Sequence, residues 1–183
     1  MKKRKKKQSE HTFISIMVDE YSTNVYAGIN PKLLGTPHYI QNEDDPAYKF
    51  ETKLEIKGIC TDPLDRSGHR FDITMYGTLD KQHLPPTIKE LHERNKNGDY
   101  LYRKYRGRVY PVYETPPPIA FLEKIRGENH WVTWLWVSPQ LVTDSLIVLS
   151  GNKQVFVSIH EIKEYRQRQI KSLSIQTVNP EEE

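Results

Sequence analysis

The chain has one cysteine, Cys60, among 183 residues, so no intramolecular disulfide braces it and its thiol usage fits a reducing compartment. Its nine glycines are scattered rather than clustered. No loop is therefore built to cradle phosphates with backbone N–H groups, and neither a P-loop nor a G-x-G-x-x-G after a strand occurs. G-x-S-x-G, H-E-x-x-H and C-x-x-C are missing too, which removes nucleophile-elbow hydrolases, zinc proteases and dithiol redox proteins. His92-Glu93 opens like the zinc-protease helix, but Lys96 stands where the second histidine belongs.

Long apolar runs are lacking as well. The most apolar stretch, WVTWLWVSPQLVTDSLIVL, carries Pro139, Gln140 and Asp144 where a membrane span needs about 20 predominantly apolar residues. It reads as core. FISIMV after the basic start imitates a signal peptide, but it is shorter than an h-region and runs into Asp19 and Glu20. A cytoplasmic protein with no membrane association is expected.

The seven histidines (11, 38, 69, 83, 92, 130 and 160) lie far apart in sequence. Folding can unite two of them, but nothing in their spacing says which. Asp62, Asp65, His69 and Asp72 gather near one turn, and Glu43, Asp44 and Asp45 near another, yet Asp-Pro and Ser-Gly are ordinary turn chemistry. No catalytic group, metal centre or cofactor is expected, and an enzyme of unrecognised type is the weakest reading.

What is present is charge, segregated along the chain, and tyrosine. Hydrophobic residues make up 36% and charged residues 28%, with eleven tyrosines and three tryptophans, enough for a real core in one domain. Residues 2–7 are KKRKKK, and residues 1–10 read as a disordered basic arm. Residues 11–93 hold eight cations against thirteen acids, whereas residues 94–108 hold six cations against Asp99 alone. Residues 11–177 are expected to form a single domain, and 178–183 a frayed acidic tail.

Phe50, Thr52, Leu54, Ile56, Gly58 and Cys60 alternate with charged residues, a period of two that predicts a strand. HRFDITMYG returns after TDPLDRSG as its hairpin partner. HTFISIMVD, VYAGI and HYIQ predict further strands. HWVTWLWVS predicts a central strand with Trp131, Thr133, Leu135 and Val137 on one face and Val132, Trp134 and Trp136 on the other, covered by helices on at least one side. The two outer tryptophans are read as core, or alternatively as the floor of a partner groove. Helices are predicted after Thr87 and Glu90 (a capping box), at IAFLEKIRG, after Ser138-Pro139, and after Ser158 and Glu161, where Ile159, Ile162, Ile170 and Leu173 share a face at 100° per residue. The fold class is thus α+β: an antiparallel sheet or partly closed small barrel, completed by strands near 108 and 131, with three or four short helices from the second half. An OB-like barrel is one version of it.

The segment RNKNGDYLYRKYRGRVYPVY (94–113) interleaves cations with rings and predicts a hairpin about Arg106-Gly107. Cations that neutralise phosphates beside flat rings that stack on unpaired bases are what single-stranded nucleic acid requires. Arg103, Lys104, Arg106 and Arg108 are the candidate phosphate contacts, and Tyr100, Tyr102 and Tyr105 the candidate stacking rings. The basic arm would add non-specific affinity. A half-buried strand with arginines on its wet face has the same composition. The expected function is a non-catalytic nucleic-acid-binding or accessory protein; the alternative is a protein-interaction module or structural subunit using the same tyrosines and arginines.

Overall fold

The computed structural model describes residues 9–30, 33–34, 47–78 and 86–180. Most of the basic arm, the HYIQ strand and most of the acidic NEDDPAY loop lie outside them. In chain order the elements are β1 (Glu10–Ile29), β2 (Tyr48–Asp62), β3 (Arg70–Gly77), β4 (Tyr102–Tyr105), β5 (Arg108–Pro111), β6 (Ala120–Lys124), β7 (His130–Val137), α1 (Pro139–Gly151), β8 (Phe156–Glu164) and β9 (Gln167–Gln176).

Seven strands close into a barrel in the order β1-β2-β3-β7-β6-β9-β8, while β4 and β5 form a separate two-stranded sheet. The β2–β3 hairpin has the expected register, with Ile56 opposite Ile73 and Leu54 opposite Met75. All neighbouring barrel strands are antiparallel except β3 and β7, which run parallel with Phe71 beside Trp131. A parallel pair needs a long crossover, and here it spans residues 78–129, carrying the β4–β5 hairpin and β6. Inward positions stack a continuous core: Ile14 and Ile16 from β1, Leu54 and Ile56 from β2, Phe71, Ile73 and Met75 from β3, with Leu122, Leu135, Val157, Ile159 and Ile170 from the other strands. Each such side chain contributes about 1.5–3 kcal/mol of transfer free energy. At Gly58 the opposing strand leaves no room for a side chain, because a Cβ would sit 2.3 Å from the Met17 carbonyl oxygen.

One end of the barrel is covered by α1. Ser138 caps it by accepting from the Leu141 N–H, and Pro139 begins it. Val142, Ser145 and Leu149, at helical spacing, are its buried residues. The helix packs so closely that a Cβ on Gly77 would meet the Pro139 Cα and a Val142 methyl at 3.2 Å.

The other end is closed by charge. Glu161 points inward from β8 with no exposure, and Arg66, 5% exposed, folds over from the β2–β3 loop. Its guanidinium donates twice to that carboxylate, at 2.6 and 3.1 Å. Arg168 of β9 donates to the same carboxylate. Both guanidiniums lie over the Trp131 ring, at 4.8 and 5.2 Å from its centroid.

Several expectations are corrected. Among the described residues there is one α-helix rather than three or four, and the barrel is closed, with seven strands. The chain after Thr87 makes the capping box, Glu90 accepting from the Thr87 N–H at 2.6 Å, but stops after one turn because Ile88 is 60% exposed and has nothing to pack on. IAFLEKIRG is β6, since Ala120 and Leu122 fill barrel positions and tertiary packing overrides helix propensity. Ser158 and Glu161 open no helix; they lie in the β8–β9 hairpin, whose inward face takes Ile159 and Ile170. HTFISIMVD and VYAGI are one continuous β1, with a register shift between Val18 and Glu20. The strand at 108 is outside the barrel. Trp134 and Trp136 are 44% and 46% exposed, so no helix covers that face. Among the described residues no helix is long and apolar enough to cross a membrane.

Two outcomes follow from the ends of the barrel. Glu161→Gln leaves two guanidiniums at a barrel end with no carboxylate between them, and should lower the unfolding free energy by roughly 3–5 kcal/mol at unchanged m-value in urea, the usual cost of removing one member of a buried ion pair. Burial, reinforced by Asp62 and Asp65, pushes the Cys60 thiol up to about 12. The reactive thiolate is therefore scarce at neutral pH, and aromatic-disulfide labelling of Cys60 should track global unfolding rather than reagent concentration.

Candidate nucleic-acid interface

The β4–β5 hairpin turns on two residues that both adopt positive φ, Arg106 at 47° and Gly107 at 79°. Such a two-residue turn matches the natural twist of paired strands, and it leaves the Arg106 side chain at the tip. The base of the hairpin is held by the segment before it. The Glu93 N–H donates to the Val112 carbonyl at 2.8 Å, the Leu101 N–H to the Glu93 carbonyl at 2.9 Å, and the Glu114 N–H to the Leu91 carbonyl at 2.8 Å. Isolated bridges join His92 to Tyr113 and Arg94 to Tyr100.

His92 is the hub of that base. Its ring stacks on Tyr100 at 4.4 Å, meets Tyr102 edge-on at 5.1 Å and lies against Tyr113 at 5.4 Å. Its Nε2 is 2.9 Å from the Leu101 carbonyl oxygen, which makes that nitrogen the donor. Arg94 lies over the Tyr100 ring at 4.4 Å and donates to its hydroxyl at 2.8 Å.

Register then divides the candidate residues. Arg103 pairs with Tyr110 and Tyr105 with Arg108, while Tyr102 pairs with Pro111 and Lys104 with Val109. Paired residues share a face and neighbours along a strand alternate. One face therefore carries Arg103, Tyr105, Arg108 and Tyr110, each cation directly opposite a ring; the other carries Tyr102, Lys104, Val109 and Pro111. The first face opens on a shallow depression of about 390 Å³ lined by Arg103, Tyr105, Tyr110, Pro111, Val112 and Tyr113. Every residue of the hairpin strands is exposed, Tyr105 by 59% and Tyr102 by 60%. Arg106 reaches back over the Tyr105 ring at 5.2 Å.

Of the seven residues expected to act together, Arg103, Tyr105 and Arg108 are thus brought onto one face, with Arg106 at its tip. Lys104 and Tyr102 are on the reverse, and Tyr100 is engaged in the base cluster. Sequence reasoning left out Tyr110 and His92. Tyr110 follows directly from the Arg106-Gly107 turn, because a two-residue loop there places it across from Arg103; no sequence signal marks His92.

The cations of the hairpin differ from those of β2 in having no acid beside them. Among the described residues no carboxylate pairs with Arg103, Lys104, Arg106 or Arg108. On the barrel strands Lys49 pairs with Glu51, Lys53 with Glu55, Lys57 with Glu20 at 3.4 Å and Lys163 with Glu10 at 3.2 Å. Arg168 is taken by Glu161, so it adds nothing to a basic surface. Around Asp62, Asp65, His69 and Asp72, as elsewhere among the described residues, no three His, Cys, Asp or Glu converge, and His69 meets the Trp131 indole N–H at 3.1 Å; Glu43, Asp44 and Asp45 lie outside the described residues.

A second exposed surface lies on the outer wall of the barrel. Tyr76 stacks on Trp136 at 5.9 Å, and continuing the β6–β7 register beyond Leu122–Thr133 sets exposed Phe121 beside Trp134. Its adjoining lysine, Lys53, is paired with Glu55, so this wall is aromatic without being basic.

His92→Ala removes the ring that joins Tyr100, Tyr102 and Tyr113. Losing about 1–2 kcal/mol of local contacts raises the open population roughly 5–30-fold; trypsin cleavage between Arg103 and Arg108 should accelerate accordingly while the barrel's urea midpoint stays in place. No family model, no curated protein and no solved structure matches the chain.

Proposed function

We propose that this protein is a non-catalytic nucleic-acid-binding or accessory protein that holds a single strand on the Arg103, Tyr105, Arg108 and Tyr110 face of its hairpin. One observation carries the reading: two exposed arginines stand directly across from two exposed tyrosines, with no carboxylate among the described residues to neutralise them. A ring offers every base the same π-face, and the adjacent cation meets the phosphate that follows, so affinity is expected without strong sequence preference. Arg106 at the tip supplies a third cation. The strand is favoured over a duplex because stacking on Tyr105 and Tyr110 needs unpaired bases.

A second reading rests on a different observation. Trp134, Trp136 and Phe121 are exposed on a wall whose charge is balanced, which suits a protein partner better than a polyanion, since buried aromatics dominate such contacts. In that reading the molecule is an interaction module or structural subunit, and a nuclease-resistant partner would be released by Trp134→Ala with Trp136→Ala but kept by the hairpin variants.

Fluorescence anisotropy with a labelled oligothymidylate decides the first reading. Tyr105→Ala and Tyr110→Ala should each weaken binding by about 1–3 kcal/mol, roughly 5–150-fold, and Tyr102→Ala on the reverse face should have little effect. Three phosphate contacts on single-stranded DNA give a slope of log affinity against log salt of about −2, reduced by Arg103→Ala and Arg108→Ala but not by Lys104→Ala. Deleting residues 2–7 should lower affinity for any polyanion equally. If that deletion alone changes binding, the hairpin is not the site.

A further inference from the structure

The barrel unites two histidines that are 149 residues apart. Phe13 of β1 pairs with His160 of β8, and His11 with Ile162, so His11 and His160 are diagonal neighbours on the outer face. Their ring nitrogens, His11 Nδ1 and His160 Nε2, lie 3.1 Å apart. Two imidazole nitrogens bound to one metal ion at about 2.0–2.1 Å, subtending an angle between square and tetrahedral, are about 2.9–3.4 Å apart. With ring centroids 5.3 Å apart the two nitrogens face each other in a hydrogen bond, and a tilt of the rings turns both lone pairs onto one ion without moving the strands. We propose that His11 and His160 form a bidentate site for a divalent transition-metal ion of the class that prefers imidazole, Cu²⁺ above Ni²⁺ or Zn²⁺.

Three further features support the pair. Ser9 Oγ lies 3.3 Å from His11 Nε2; accepting from an N–H there, it favours the tautomer whose Nδ1 lone pair faces His160, the outer-shell arrangement common to metal-bound histidines. Phe13 stacks on the His160 ring at 4.6 Å with an interplanar angle of 13°, restricting its rotation. Lys163, the ammonium nearest in the β1–β8 register, pairs with Glu10 at 3.2 Å, and both belong to the alternate face of the strands. In the tautomer that Ser9 favours, the metal-free pair has the His160 Nε2–H donating to His11 Nδ1. Coordination requires that proton to move through water to His160 Nδ1; the imidazole stays neutral and no other bond changes. Among the described residues no third His, Cys, Asp or Glu joins the pair, so water fills the remaining positions and the ion stays open to a further ligand. The site lies apart from the hairpin and does not depend on the function proposed for it.

Calorimetric titration of the full chain with Cu²⁺ and then Ni²⁺ tests the pair. His11→Ala and His160→Ala should each lose the same single equivalent, and the double variant should lose no more than either alone, because a chelate needs both rings. Ser9→Ala should weaken the site about tenfold while keeping the stoichiometry, and Cu²⁺ should bind more tightly than Ni²⁺. His11 is exposed, so an unchanged thermal midpoint for His11→Ala separates loss of the site from loss of the fold; His11→Gln repeats the test if that midpoint moves. An unchanged stoichiometry in either single variant, or two equivalents lost in the double, overturns the proposal.

Discussion

A carboxylate inside a barrel is tolerable only if its charge is matched where it stands. Glu161 is wholly buried, and isolating such an ion from water costs several kcal/mol even after relaxation. Two guanidiniums offset that cost, one from the loop after β2 and one from β9. Because Arg66 must reach Glu161, the loop carrying it is drawn across the end of the barrel and laid on Trp131. The same residue fixes how the barrel closes, since Thr12 pairs with Glu161 and the β8–β9 ladder shifts register at His160–Glu161. One buried charge therefore sets the lid of the barrel, the seam between first and last strands, and the meeting of His11 with His160.

The two ends of the barrel are closed by different physics. At the far end α1 supplies apolar contacts, and Gly77 lets it approach closely. Two depressions among the described residues lie on the outer surface, one on the hairpin and one beside β1 and β2. The outer surface is then sorted by charge. Four glutamates of the first half pair with lysines of β2 and β8, while the four cations between Arg103 and Arg108 have no carboxylate partner among the described residues and stand on a hairpin clear of the barrel sheet. The segregation visible along the sequence thus becomes a segregation in space.

Legibility followed the alternation of side chains. In β2 and β3 every inward position is apolar or small and every outward one is polar or charged up to Lys57, so period and partner could be read directly. In β8 the inward row is Val157, Ile159 and Glu161, and the charged third member breaks the alternation that would have marked a strand. The following turn hides as well, because it uses Tyr165 at φ 57° where glycine or asparagine would signal it. What remained were isoleucines at spacings that mimic a helix. At Thr87 the local chemistry was right and the conclusion wrong: a capping box stabilises a first turn but cannot sustain a helix without a packed face. The hairpin turn at 106–107 was legible. The sorting of its residues onto two faces was equally implicit in that turn, and follows once the strands are paired.

Exposed cations on a two-stranded sheet have a competing explanation, since unpaired strand edges invite other chains and lysine or arginine on them discourages such pairing. That accounts for Arg103, Lys104 and Arg108 but not for the rings. An edge protected only against association would carry polar residues between its charges, whereas here Tyr105 and Tyr110 are held in water directly across from the arginines, each ring exposing apolar area that favours the association the cations oppose. Nor do the rings fill the hairpin's own core: that task falls to His92 with Tyr100, Tyr102 and Tyr113, at the base. Two exposed rings, two arginines with no carboxylate partner among the described residues, and a register that sets each ring across from a cation are the features that the proposed single-strand reading takes together.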